Sequence, residues 1–277
     1  MGRIGNSIGL AKASWRVLKA DKELIALPII SVMVSIFVAL SFFIPFLVVQ
    51  GFSKVDQPGP VEYLLLFLMY VVLAYVTIFF NAALVHAAHE RLTGGDPTIK
   101  SAIAGARSRA VLILPWAIVS ATVSLVLGAI EERVGFLGRI VVGLIGMAWT
   151  LVTFLVLPLI VIEGVGVGEA IRRSKDLFKR TWGENVAAQV GFGLLGVLAI
   201  LPAILLFALG AAAGGAVAAL AILIAVIWII GAVAGIAAMS VIFQTALYHF
   251  AVDGKVPSGY FADGTMQSAF ATRRGFR

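Results

Sequence analysis

Long apolar runs separated by short polar and basic segments dominate the chain. Six runs reach the roughly 20 residues that an α-helix needs to cross about 30 Å of hydrocarbon. A helix also satisfies its backbone N–H and C=O groups within one segment, as a bilayer requires, and the alternation of a membrane β-barrel is absent. The pattern predicts an all-α polytopic membrane protein with six transmembrane spans, at 24–50, 61–88, 111–130, 136–162, 186–209 and 217–250.

The composition supports the same class. Of the 277 residues, 61% are hydrophobic and 13% are charged, whereas soluble domains have roughly 45–50% and about 25%. The mean hydropathy is +1.06. Cysteine is absent, which excludes a disulfide framework, a thiolate metal site and a cysteine nucleophile.

Basic residues are distributed unevenly between the two sides that six spans define. Of the 21 Lys and Arg residues, all but Lys54, Arg133 and Arg139 lie in the N-terminal segment, the loops after spans two and four, or the C-terminal tail. By the positive-inside rule, both termini are predicted in the cytoplasm, with the protein in the cell inner (plasma) membrane. The net charge of +7 is then a topology signal, and we expect no nucleic-acid partner.

A short basic amphipathic stretch precedes each pair of spans. The recurrence predicts three tandem repeats of an interfacial helix plus a transmembrane hairpin, at residues 1–92, 93–164 and 165–252, with a cytoplasmic tail at 253–277. Each apolar face is expected at the acyl boundary, with its cations near anionic headgroups. The apolar faces comprise Ile4, Ile8, Ala11, Trp15 and Leu18, then Ile99, Ile103, Ala106 and Ala110, then Ala170, Ser174, Leu177 and Phe178. The cations are Lys12, Arg16, Lys19, Lys100, Arg107, Arg172, Lys175 and Lys179.

Parts of the first and third repeats match residue by residue. The segment 14–19 aligns with 174–179, and 81–86 aligns with 244–249. Because each repeat contains two spans, successive repeats enter the membrane in the same direction. This predicts pseudo-threefold packing about the membrane normal and disfavours inverted-repeat transporter folds.

Several stretches resemble a known family. They are residues 14–24 (SWRVLKADKEL) with Pro28, 92–98 (LTGGDPT), 157–164 (LPLIVIEG) and 179–184 (KRTWGE). They resemble a family of uncharacterised prokaryotic membrane proteins filed only as a domain of unknown function, and the resemblance extends to Ala269 and Phe270. It implies a six-helix membrane fold, but it implies no activity, cofactor or binding residue.

Two groups of polar residues are candidate sites. His86, His89 and Glu90 have metal-ligand chemistry, since histidines at i and i+3 share a helix face. A third ligand is not evident and the order differs from zinc-protease motifs, so we favour interfacial polar residues and predict no cofactor. Asn81, Thr153 and Gln244 lie inside spans, where they either hydrogen-bond between helices or line a cavity. Glu163 is interpreted as the partner of Arg172 or Arg173 in an ion pair, or as a substrate anchor.

These observations favour a non-enzymatic membrane scaffold. It would assemble with itself or with a membrane-protein partner and engage anionic lipids through its basic helices. One alternative is a channel or transporter for a neutral or weakly polar solute, motivated by Asn81, Thr153 and Gln244. Another is an intramembrane metalloenzyme, motivated by the histidines.

Overall fold

The computed structural model describes residues 3–52 and 59–254, which form helices joined by short turns. No strand occurs within these ranges, and the all-α class is confirmed. The helices are α1 (Arg3–Ala20), α2 (Glu23–Phe52), α3 (Pro60–Leu92), α4 (Ile99–Ser108), α5 (Ala110–Arg133), α6 (Phe136–Val152), α7 (Val156–Pro158), a π-helical turn (Leu159–Glu163), α8 (Val167–Ala213) and α9 (Gly215–Asp253).

Six helical segments of the described residues are long and apolar enough to cross a membrane, which confirms the predicted number. They are Glu23–Pro45, Pro60–Leu92, Ala110–Arg133, Phe136–Glu163, Gly196–Ala213 and Gly215–Asp253. We call them spans one to six. Helix α2 packs on α3, α5 contacts α6, and α8 packs on α9, so the spans form three consecutive hairpins.

The buried core lies at one end of these hairpins. We call this the packed end; it comprises the first turns of α2 and α5, the last turns of α3 and α9, the segment from Leu155 to Glu163, and the basic helices that contact them. Its largest fully buried side chains are Leu18, Leu24, Leu27, Leu84, Leu92, Ile113, Leu155, Leu159, Ile160, Ile242, Phe243 and Leu247. These residues come from all three hairpins, so the core holds the hairpins together.

Away from the packed end, the spans expose large apolar side chains. Phe37 in α2, Phe67 in α3, Ile140 in α6, Leu205 in α8 and Leu223 in α9 are all exposed. Apolar surface of this extent is unusual on a soluble monomer. It is the surface that a lipid-facing helix presents, because hydrocarbon chains solvate it without penalty.

The three predicted basic stretches all lie on helices. The first forms α1 and the second forms α4, but the third is the beginning of α8, which continues as one helix into span five. The proline of α8, Pro202, lies within span five, so no proline separates the basic stretch from the span. By contrast, a turn at Asp21 separates α1 from α2, and a turn at Arg109 separates α4 from α5.

The face of α1 that is buried against the protein coincides only in part with the apolar face predicted from the sequence. Its buried residues are Ala13, Ser14, Val17 and Leu18, whereas Trp15 is 43% exposed. Ala13 and Ser14 are small, so α1 can approach α8 and α9 closely along this stripe. The side chains of Ile4 and Ile8, together with Lys54 and the tail from residue 255, lie outside the described residues.

Candidate functional site

Span four is interrupted near the packed end. The α-helix α6 ends at Val152, a turn covers residues 153–155, and α7 leads into the π-helical turn. Pro158 has no backbone N–H and therefore cannot donate to the carbonyl of Phe154, four residues earlier. Hydropathy alone predicts a continuous span from 136 to 162, because a hydropathy value contains no information on the missing N–H donor of Pro158.

The interruption frees further backbone groups. The N–H of Val156 donates to the carbonyl of Thr153 at 3.0 Å, not to that of Val152. The N–H of Phe154 donates to the carbonyl of Leu151. In an uninterrupted helix that carbonyl would accept from the N–H of Leu155. Val152 and Phe154 therefore lose a helical donor, and Leu155 loses a helical acceptor.

Side chains from two neighbouring helices replace these partners. The Ser174 hydroxyl, in α8, donates to the Val152 carbonyl and accepts from the Leu155 N–H at 3.2 Å. The Gln244 amide, in α9, donates to the Phe154 carbonyl. Neighbouring polar side chains are the usual way in which a broken helix at membrane depth satisfies its backbone.

The end of span four is held by charged groups. Glu163 accepts hydrogen bonds from two guanidinium nitrogens of Arg173 and, at 2.7 Å, from the hydroxyl of Tyr248. Donation to this carboxylate raises the pKa of Arg173, so the guanidinium stays protonated. Of the two partners that the sequence suggested for Glu163, the structure places Arg173 there, while Arg172 pairs with Glu169.

An arginine and a glycine complete this terminus. Gly164 has φ +71°, a left-handed conformation that glycine adopts readily at a helix C-terminus. The Nε of Arg109 donates to the carbonyl of Val161 at 3.3 Å, and its guanidinium lies against Gly164, 2.6 Å from where a Cβ would be. A cation at a helix C-terminus also stabilises the helix dipole.

The three intramembrane polar residues are used differently. Gln244 bonds the carbonyl next to Thr153, and the Thr153 hydroxyl donates to the carbonyl of Trp149 in its own helix at 2.7 Å. Asn81 is half-buried on α3. The structure thus brings Gln244 to the Phe154–Leu155 peptide, and both Gln244 and Thr153 donate to backbone carbonyls.

The candidate metal ligands face separate neighbours. His89 Nδ1 lies 2.9 Å from Nε2 of His249, with the two rings stacked, and His249 Nδ1 lies 3.2 Å from Asp253. The His86 ring lies against Gly105, where a Cβ would be 2.2 Å away. No group of three or more His, Asp or Glu side chains able to hold a metal occurs in the part of the chain that the structure describes.

Glu90, the third candidate ligand, instead organises the start of α4. Its carboxylate accepts from the Ser101 hydroxyl at 2.9 Å. Ser101 and Thr98 form a reciprocal capping box, and Glu23 accepts from the N–H of Ile99. Carboxylates are stabilising at a helix N-terminus, where backbone N–H groups are free and the dipole is positive.

A buried acid lies at the junction of α1 and α2. Asp21 is 7% exposed, and this burial raises the pKa of its carboxyl, against the opposing effect of Arg91. One Asp21 carboxylate oxygen and the Nε of Arg91 are buried without a hydrogen-bond partner among the described residues. The sequence analysis did not identify Asp21 as a candidate residue. The feature that could have indicated it is its position in the 14–24 motif, between the basic stretch and the first span.

The predicted interfacial cations are all exposed. Beneath them the basic helices bury small or apolar residues, so the helices are attached to the protein and their charged faces point outward. On α1, Lys19 Nζ lies 5.8 Å from the centre of the exposed Trp15 ring. The exposed cations are Lys12, Arg16, Lys19, Lys100, Arg107, Arg172, Lys175 and Lys179.

This fold, with its apolar helical hairpins and basic helices at one end, defines a polytopic helical membrane protein. The chain belongs to a family of unknown function, DUF6159, whose model matches residues 60–259. The family resemblance is thereby confirmed, although the motif at 14–24 lies outside the matched residues and the prokaryotic origin stays a prediction. Neither the curated proteins nor the solved structures contain a match to the chain.

Proposed function

We propose that this protein is a non-enzymatic membrane scaffold whose packed end binds anionic lipid headgroups. The single observation that supports it most is the exposure of the eight predicted interfacial cations on α1, α4 and the beginning of α8. The helices that carry them are attached to the spans through buried faces. Each cation near an anionic leaflet contributes about 1 kcal/mol, so several acting together bind strongly.

The exposed face of α1 supports this assignment further. Trp15 lies among Lys12, Arg16 and Lys19 with its ring close to the Lys19 ammonium. Tryptophan is enriched at the headgroup level of membranes because its ring is amphipathic. Lysine can reach headgroups from the same depth by extending its side chain. A tryptophan and three cations on one outward face are therefore suited to a lipid surface.

Orientation and assembly are the remaining parts of the proposal. The packed end would face the cytoplasm, where anionic lipids are concentrated. The exposed apolar surface of the spans leaves room for a second copy or a membrane-protein partner as well as for lipid. Mass photometry in mild detergent tests the assembly, and a purely monomeric protein would contradict it.

The alternative of a channel or transporter has less support from the geometry. It would need Asn81, Thr153 and Gln244 to present free polar groups to a solute. The amide of Gln244 and the hydroxyl of Thr153 instead donate to backbone carbonyls. These contacts favour helix packing for two of the three residues.

Lipid retained through purification provides the main test. The protein is solubilised from membranes, and the ratio of bound phosphatidylglycerol to bound phosphatidylcholine is measured by mass spectrometry. We expect Lys12→Glu with Lys19→Glu, and separately Lys175→Glu with Lys179→Glu, to lower this ratio. Losing one cation near an anionic surface lowers affinity about fivefold.

The matched control is Arg133→Glu with Arg139→Glu. These two exposed arginines lie at the turn between α5 and α6, away from the packed end, and the substitution changes the net charge equally. We expect the control to retain the parent ratio. If both lysine pairs also retain it, the lipid-binding proposal is wrong.

A separate experiment tests the orientation. Because the chain lacks cysteine, a single Ser108→Cys or Phe136→Cys variant reports one position without background. Both residues are exposed, the first at the packed end and the second at the α5–α6 turn. A membrane-impermeant maleimide should label Phe136→Cys in intact cells and Ser108→Cys only after lysis; the reverse pattern would overturn the orientation.

A further inference from the structure

The backbone groups freed in span four have two alternative sets of partners. In an uninterrupted α-helix, Val152 would pair with the N–H of Val156, and Leu155 would pair with the carbonyl of Leu151. In the structure Ser174 replaces both partners. If Ser174 is withdrawn, closing the ordinary helical bonds is the available way to avoid two unpaired groups at membrane depth.

Pro158 explains why the interruption occurs here. The Phe154 carbonyl lacks a helical partner whether the preceding turn is broken or closed, because Pro158 has no N–H. Gln244 supplies a donor to that carbonyl from α9. The proline thus weakens the helix locally, while Ser174 determines whether the turn at 153–155 is open.

The same turn of α8 contacts span four at two points. Ser174 bonds the backbone on either side of the interruption, and the adjacent Arg173 binds Glu163 at the end of the span. The next residue, Lys175, is one of the exposed cations. A displacement of the basic part of α8 would therefore release span four at both points together.

We infer that Ser174 holds span four in its interrupted form, so that the position of the basic segment of α8 sets the angle between α6 and the end of that span. When this segment moves away, the turn at 153–155 closes into α-helix and α6 swings relative to the other hairpins. This device goes beyond the proposed lipid scaffold and does not depend on lipid binding. It gives a surface helix control over the direction of a transmembrane helix.

The size of the movement follows from helix geometry. Ile140 lies 12 residues before Val152 on α6, so it is about 18 Å from the interruption along the helix axis. Sharp helix kinks, those above about 20°, are found almost always at sites such as prolines and π-bulges. Removing such a kink would displace Ile140 by about 6 Å.

Spin labels measure this displacement directly. Cysteines replace Ile140 and Leu223, exposed residues on α6 and α9, in a chain that has no other cysteine. The distance distribution between the labels is recorded by double electron–electron resonance in nanodiscs of one lipid composition. Ser174→Ala should shift the most populated distance by several ångströms, and Ser174→Thr, which keeps the hydroxyl, should retain the parent distance.

Thr150→Val is the matched control. It removes a hydroxyl from α6 near the interruption, but among the described residues this hydroxyl bonds only the Gly146 carbonyl of its own helix. The distance in Thr150→Val should therefore equal that of the parent. A Ser174→Ala distribution whose most populated distance is unshifted would overturn the inference. A distribution that is broadened without a shift would also overturn it, because loosened packing alone would produce that result. If Ser174→Ala does not fold, Pro158→Ala decides. Ser174 still bonds both sides of the turn in this variant, so its distance should equal that of the parent, and a shift would show that the proline and not Ser174 sets the angle.

Discussion

The side-chain amide of Gln244 donates to the backbone carbonyl of Phe154, 90 residues earlier in the chain. This bond joins spans four and six and replaces the donor that Pro158 lacks. Hydrogen bonds between membrane helices are usually weak, about 0.6 kcal/mol, because the separated helices find other partners. Here the acceptor is a carbonyl without a helical donor, so loss of the bond should destabilise the protein by more than this typical value.

Gln244→Leu should therefore destabilise the protein. The substitution leaves the Phe154 carbonyl unpaired, and we expect a loss of about 1–2 kcal/mol, measured by thermal unfolding in detergent. Among the described residues, the hydroxyl of the adjacent buried Thr245 bonds only the Val241 carbonyl of its own helix. Thr245→Val should therefore change stability by less than about 0.5 kcal/mol, and an equal effect of the two substitutions would contradict the assigned role of Gln244.

The Glu163–Arg173 ion pair should contribute more to stability than the neighbouring Glu169–Arg172 pair. Arg173→Ala removes two hydrogen bonds from a mostly buried carboxylate, and we expect it to lower stability by about 1–2 kcal/mol. Arg172→Ala removes an exposed pair with Glu169 and should cost less than about 0.5 kcal/mol. Comparison of their unfolding temperatures provides the measurement, and equal unfolding temperatures would argue against the bidentate pair.

Asp21 should make stability pH-dependent. The pKa of Asp21 is raised in the folded protein, so the folded protein binds a proton at this residue more readily than the unfolded chain. The contribution of Asp21 to the free energy of unfolding therefore becomes less favourable as the pH rises from the ordinary aspartate range through the folded pKa. Asp21→Asn, which can still accept a hydrogen bond, should raise the unfolding temperature at pH 7. That advantage should shrink as the pH falls through the folded pKa towards the ordinary aspartate value of 3.8, below which both states bind the proton. An advantage independent of pH would show that desolvation is not the cause.

Gly105 should tolerate no larger residue. A Cβ at this position would lie 2.2 Å from the His86 ring, and overpacking of this kind costs about 1–3 kcal/mol. Gly143→Ala is the control, since a Cβ there meets nothing within 4 Å, and because alanine favours a helix over glycine its unfolding temperature should be no lower than that of the parent. The double variant Gly105→Ala with His86→Ala should be less destabilised than the sum of its parts; strict additivity would exclude the steric explanation.

The structure exposes the cations that the sequence assigned to the basic helices, but their lipid-interface role stays a prediction. The predicted apolar faces coincide only in part with the faces that pack on the protein. Lys12 and Lys19 are exposed because a charged side chain is costly to bury, and that cost depends on the residue itself. The apolar face that the sequence predicts for α1 includes Trp15, but the face that packs on the protein is formed by Ala13, Ser14, Val17 and Leu18. Apolar periodicity defines a face only to within a wide arc, and the shape of α8 and α9 selects the stripe that fits.

The interruption of span four shows a different limit. Pro158 was visible in the sequence, but a proline also occurs within continuous helices here, as Pro115 does in α5. What separates the two sites is the presence of side chains that satisfy the freed backbone. Ser174 and Gln244 reach Pro158's turn from other helices, and local sequence contains no information on that proximity.

The amino-acid sequence by itself determined the helical membrane class and the number of spans. An apolar run of about 20 residues has one stable form in hydrocarbon, where each backbone group needs a partner within the segment. Only the tertiary structure decided which polar groups meet, such as His89 with His249 and Ser174 with Val152 and Leu155. Those pairings depend on the rotation and position of whole helices, which the combined packing of the core determines.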